Sequence, residues 1–161
     1  MTLPFRPKPR AETRPLTLLP KSDLAKWLKS APAAARNWVR ASHFAAGPGE
    51  VCVVPGHDGT PSRALAGIVT GAGASAIWDA AAIASRLPGG SWRLDPAPPA
   101  PLATQVATGW ALGAYRFERY KKDRSATAVL IWPPGVDRGA VERTASATAL
   151  VRDLVNTPAE D

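Results

Sequence analysis

The sequence predicts an α/β fold of three layers, with a mixed, mainly parallel sheet between helices. Three observations predict it. Short apolar runs closed by Pro and Gly recur at Glu50–Pro55, Arg63–Val69 and Ala126–Trp132, each of strand length. Ala-rich segments with apolar residues at helical spacing separate them, the alternation expected of βαβ units. The 161 residues are 45% hydrophobic, enough for one sizeable core but not for two full domains.

The first 20 residues carry Pro4, Pro7, Pro9, Pro15 and Pro20. Each proline fixes its own φ and pushes its predecessor out of the α region, so residues 1–20 read as a proline-rich extended arm. Ser22 and Asp23 offer helix caps ahead of Leu24, Trp27 and Leu28, spaced i, i+3, i+4, and this helix should end near Ala31-Pro32. A second helical stretch follows over Ala33–Phe44, with Trp38 and Val39 in the core. Glu50–Pro55 reads as a buried strand, His57–Ser62 as its turn and Arg63–Val69 as the next strand. Ile77–Leu87 reads as a helix stopped by Pro88-Gly89-Gly90. Trp92 and Leu94 flank Arg93 in a short edge strand, and Asp95–Pro101 is a loop.

Thr104–Tyr120 is predicted helical, because Val106, Trp110, Gly113, Phe117 and Tyr120 fall on one face. A basic cluster over Arg116–Arg124 closes it, where cations suit a helix C-terminus. The strand Ala126–Trp132 ends at Pro133-Pro134-Gly135. A long helix over Gly139–Val155 carries Ala147, Leu150, Val151, Leu154 and Val155 as its apolar stripe, with Asn156 as a stop and Pro158 forbidding continuation.

Composition excludes several functions. One cysteine, Cys52, cannot form an intramolecular disulfide or a thiolate zinc site, and His43 and His57 cannot make a His-rich metal site. No run approaches the roughly 18 apolar residues of a membrane span, and the start lacks the apolar core of a signal peptide. A soluble cytoplasmic protein in a reducing compartment is expected. The net charge is +7, but residues 1–50 hold +6 of it and residues 51–161 are nearly neutral, unlike a uniformly basic nucleic-acid domain.

The residues able to carry chemistry each have a plain structural reading. His57, Asp58 and Ser62 include the residue types of a hydrolase triad, yet all lie in one Gly/Pro turn. Gly67, Gly71 and Gly73 follow a strand and precede a helix. They could let a phosphate approach, but the pattern is neither a dinucleotide fingerprint nor a Walker loop, and a tight strand-to-helix connection suffices. Cys52 in an apolar strand reads as a small buried hydrophobe. Arg116, Arg119, Lys121, Lys122 and Arg124 interleave with Tyr115, Phe117 and Tyr120, as in nucleic-acid sites, but inward-packing aromatics on a solvated helix end account for them better. The carboxylates are dispersed, with no pair spaced for acid–base work and no cluster for metals.

Two segments carry a family resemblance. Gly109–Lys121 matches G-x-x-L-G-x-Y-x-F-x-x-Y-K through Gly109, Leu112, Gly113, Tyr115, Phe117, Tyr120 and Lys121. Ala149–Asp161 matches R-D-L-x-N-x-P-A through Arg152, Asp153, Leu154, Asn156, Pro158 and Ala159. Together they resemble the N-terminal domain of the cytosol (leucyl) aminopeptidases, and Leu87–Leu94 is similar to a further, weaker signature. The match covers about residues 50–161.

The resemblance implies a macrodomain-like accessory domain over 21–138 and a long linker helix over 139–161, leading to a catalytic domain beyond Asp161. It implies a parent that removes N-terminal amino acids from peptides with two divalent ions, Zn or Mn, and assembles as a homo-hexamer. The family's metal and catalytic motifs do not occur in this sequence, so no catalytic or metal residue carries over, and this chain alone is expected to be inactive. The competing readings are a macrodomain-like nucleotide-binding module using Gly67–Gly73 and a nucleic-acid-binding domain using Arg116–Arg124 with the basic arm.

Overall fold

The computed structural model describes residues 3–71, 76–116 and 126–157. The elements are β1 (Phe5–Arg6), β2 (Arg14–Leu19), a 3-10 turn at Lys21–Asp23, α1 (Leu24–Ser30), α2 (Ala33–Ala41), β3 (Val51–Pro55), β4 (Pro61–Gly67), α3 (Ala76–Arg86), β5 (Gly90–Leu94), α4 (Ala100–Gly113), β6 (Ala128–Ile131) and α5 (Arg138–Asn156). The sheet has six strands in the order β1-β6-β5-β2-β4-β3. Every neighbouring pair is parallel except β3–β4, a hairpin. The expected mixed, mainly parallel α/β sheet is therefore present.

Strand alternation builds the layers. Successive side chains point to opposite faces, so Ala64 and Ala66 of β4 join Leu16, Trp92, Leu94, Ala128 and Leu130 beneath α3 and α4. Leu65 points the other way, with Leu19, Cys52 and Val54, onto Ala35, Val39 and the flanks of α1. Two tryptophans fill the larger core, and each finds a partner for its indole N–H: Trp92 Nε1 donates to the Pro88 carbonyl and Trp110 Nε1 to that of Ala128, both at 3.1 Å. α5 lies against α4, where Val141 and Ala145 meet Ala107 and Ala111.

The contact of α3 with α4 is unusually close. A Cβ on Gly109 would lie 2.0 Å from the Ile77 carbonyl oxygen, and one on Gly113 would lie 2.2 Å from that of Ala81. Two glycines one turn apart on α4 thus take the backbone of α3 directly.

Several elements differ from expectation. The arm predicted over residues 1–20 is not free: Phe5–Arg6 pairs with β6, and Arg14–Leu19 is an interior strand. Prolines enforce extended backbone, which a strand also needs, and Pro15 sits near the strand start where it is tolerated. β5 is interior, not an edge, with Trp92 fully buried. Trp38 is 46% exposed, its Nε1 donating to Val53 O at 2.9 Å while its ring stays at the surface. α4 begins at Ala100 inside the expected loop, with Pro101 in its first turn, and ends at Gly113. Phe117, Tyr120 and the cluster beyond Arg116 lie outside the described residues. On α5 the buried positions are Val141, Ala145 and Ala149, while Ala147, Leu150, Val151, Leu154 and Val155 are exposed. Small residues win the buried face because they let α5 approach α4.

The glycine contacts give one substitution two opposite outcomes. Gly109→Ala is expected to destabilise the protein by about 2 kcal/mol, since neither backbone can yield. Gly139→Ala, whose nearest neighbour is the flexible tip of Arg143 at 3.1 Å, is expected to be neutral or to stabilise by up to about 1 kcal/mol. Urea denaturation of both variants checks the contrast.

Candidate functional site

The two motif segments, about 40 residues apart, meet in space. α4 stops at Gly113, and its last carbonyls need donors. Arg152 Nη1 reaches back from α5 to Leu112 O at 2.8 Å. Arg116 Nη1 donates to the carbonyls of Gly113 and Tyr115, at 3.2 and 3.1 Å. Two guanidinium groups therefore stand at the negative end of the α4 dipole. Tyr115 Oη donates to Asp153 Oδ1 at 2.5 Å, and the Arg152 guanidinium carbon lies 5.3 Å from the centre of the Tyr115 ring. Desolvation and the hydrogen bond to the Asp153 carboxylate push the Tyr115 phenol above its ordinary pKa, and a hydrogen bond with Asn156 acts the other way.

Of the motif residues, Gly109 and Gly113 set the α3–α4 approach, and Leu112, Tyr115, Arg152, Asp153 and Asn156 form this joint. Leu154 faces solvent beside it. Pro158 and Ala159 lie outside the described residues, as do Phe117, Tyr120 and Lys121. The arrangement caps and orients a helix. Its described residues include no nucleophile–base pair.

The other candidates do not assemble. Asp58 accepts from Thr60 Oγ1 and N, at 2.8 and 3.0 Å, which lowers its pKa, and Ser62 Oγ donates to Val54 O. These are turn and hairpin contacts, as the plain reading holds. Gly67 makes room for chain, not ligand: its Cβ would sit 1.9 Å from the carbonyl oxygen of Gly47. That loop is held by Glu50, whose carboxylate accepts from Ala45 N and Gly47 N. Gly71 has φ +125° with open space around it, and Gly73 lies outside the described residues. A shallow groove of about 330 Å³ does run past the carboxyl ends of β2 and β4, lined by Lys21, Ser22, Pro48 and Val69.

Sequence reasoning missed two side chains that pin this region. Asp79, buried in the first turn of α3, accepts from Val69 N at 2.8 Å. Gln105 of α4 accepts from Ala76 N at 3.0 Å, taking a donor at the start of α3. Among the described residues, these two amides beside the Gly-rich connection are thus bonded to the protein's own oxygens and are not offered to a phosphate. The signal for Asp79 was a lone acid in an Ala-rich helix, too general to single out. Among the described residues no three His, Cys, Asp or Glu side chains come together as metal ligands. The described residues therefore offer no donor set for the two-metal centre that the family resemblance implies.

Removing the Asp79 carboxylate leaves a partly buried amide unpaired, so Asp79→Ala is expected to cost about 1–3 kcal/mol by thermal denaturation. Burial is the main cause that raises the Cys52 pKa, with the Glu50 charge adding and a Ser42 hydrogen bond opposing. A raised thiol pKa means less thiolate at pH 8. Cys52 is expected to react with an aromatic disulfide reagent much more slowly in the native protein than in denaturant, followed by thiolate release absorbance.

The family model for the M17 aminopeptidase N-terminal domain matches residues 14–133. The crystal structure of cytosol aminopeptidase from Coxiella burnetii is similar at a TM-score of 0.83 and 28% identity, over 98% of this chain and 34% of that one. The bottromycin maturation enzyme BotP, in complex with Mn, is similar at 0.65 and 30% identity, over 93% of this chain and 33% of that one. A tomato leucine aminopeptidase variant, 18% identical with a TM-score of 0.61, shares the fold over 98% of this chain and 39% of its own. No curated protein sequence matches. The chain thus spans about a third of the length of the solved structures it resembles, and it belongs to the M17 aminopeptidase N-terminal domain family.

Proposed function

We propose that this chain serves as the accessory domain of a metal-dependent aminopeptidase that removes N-terminal amino acids from peptides. One observation carries the reading: the chain aligns over 98% of its own length with only 34% of the Coxiella cytosol aminopeptidase, and the family model that matches residues 14–133 is the one for the N-terminal domain. The metals, Zn or Mn, would then be held outside these residues, in a catalytic domain. Residues 139–161 read as the linker to it, and residues 21–138, with β1 and β2, as the accessory unit. A six-stranded sheet with helices on both faces supports calling that unit macrodomain-like. A cytoplasmic location and a homo-oligomeric parent, a hexamer in the family, belong to the same reading. Among the described residues no helix is long and apolar enough to cross a membrane.

The domain's own work is assembly. Leu150, Val151, Leu154 and Val155 stand on the outer face of α5, with Val155 80% exposed. Such an apolar patch on a helix marks a contact surface, and the catalytic domain is its natural cover. Nucleotide binding at Gly67–Gly73 is disfavoured because the Ala46-Gly47 backbone fills the space beside Gly67.

The test uses the chain freed of host peptidases, with leucyl-anilide and added Zn²⁺ or Mn²⁺. No chelator-sensitive turnover is expected, and turnover that follows the chain through purification and disappears on chelation contradicts the reading. Sedimentation should show self-association of the isolated chain that Leu154→Glu reduces.

A further inference from the structure

We propose that Tyr115, Arg152 and Asp153 form a lock that holds the last two turns of α5 against the end of α4, so that α5 leaves the domain in one fixed direction. What α5 carries rests on the accessory-domain reading. The lock itself does not, and it is tested in this chain alone.

The need for a lock follows from the burial pattern of α5. Its apolar contacts with the domain come from Val141, Ala145 and Ala149. Beyond Ala149 every residue to Asn156 is exposed except Arg152, which is half-buried. A helix end with no packed face frays in water. Among the described residues, polar contacts tie this end to the domain: Tyr115 Oη to Asp153 Oδ1, Arg152 Nη1 to Leu112 O, and the Arg152 guanidinium on the Tyr115 ring. All reach one point, the carbonyl end of α4. α4 is in turn fixed to α3 through Gly109 and Gly113. A rigid path therefore runs from the core to the exposed stripe at Leu150, Val151, Leu154 and Val155. Tyr115, Arg152 and Asp153 are positioning residues, acting through the direction of α5.

Hydrogen exchange of Tyr115→Phe and Asp153→Asn measures the lock. Tyr115→Phe keeps the ring under Arg152 and removes only the hydroxyl. In both variants the amides of residues 150–157 are expected to exchange about ten-fold faster, the loss of one charge-assisted hydrogen bond, while β2, β5, α3 and α4 keep their protection. Asp153→Asn should also lower the titration midpoint of one of the two tyrosines in ultraviolet difference absorbance, which reports directly on loss of the Tyr115–Asp153 contact. Unchanged exchange over 150–157 in both variants overturns the proposal. Faster exchange spread evenly through the sheet overturns it too, since the residues would then belong to the general framework. The anilide assay is independent of either result, so failure of the lock and failure of the accessory-domain reading are distinguishable.

Discussion

The close approach of α3 and α4 is the constraint on which the rest of the molecule depends. Ile77 and Ala81, one turn apart on α3, place their carbonyl oxygens where side chains at Gly109 and Gly113 would otherwise stand. Only a residue without Cβ permits this spacing. The approach brings Ala80, Ile83 and Ala84 down beside Val106 and Trp110 over the parallel strands. It also brings Gln105 within reach of Ala76 N, which ties the start of α3 to α4. Tight backbone packing of this kind tolerates little adjustment, because interiors are packed to the density of organic crystals.

From that contact outward the structure becomes progressively more polar. α4 holds α5 through small residues, Ala107 and Ala111 against Val141 and Ala145. Past Ala149 the apolar contacts give way to the guanidinium and phenol at the end of α4. The family motifs map onto this gradient. Their glycines serve the packed end, and their Arg, Asp and Tyr serve the polar end. Among the described residues neither motif builds a reaction centre, and their placement supports the proposed reading of the domain as a positioning unit.

Much of the fold was legible because it rests on local rules. The strands at Val51–Pro55, Pro61–Gly67 and Ala128–Ile131 follow from apolar runs bounded by Pro and Gly, and α3 and α5 from helical spacing. The misses share a cause, which is that tertiary partners are invisible in a single sequence. Pro15 and its neighbours read as a free arm because nothing local shows that Arg14–Leu19 will lie between β5 and β4. The buried face of α5 was misassigned because Leu150 and Leu154 are more hydrophobic than Ala145 and Ala149, yet the neighbouring helix selects for size. At the site, the motif residues could be named but not joined: no spacing rule relates Tyr115 to Asp153. Asp79 and Gln105 escaped notice because each acts on a backbone amide far away in sequence or across a loop.

The central claim is that the first motif is framework, with its glycines seated on the backbone of α3. Nuclear Overhauser spectroscopy on the 161-residue protein tests it most directly. The account predicts strong cross-peaks from the Gly109 α-protons to the Ala80 methyl and from the Gly113 α-protons to the Ala81 α-proton. Absence of both, with helical cross-peaks intact along α3 and α4, would show helices held at ordinary side-chain distance and would contradict the account.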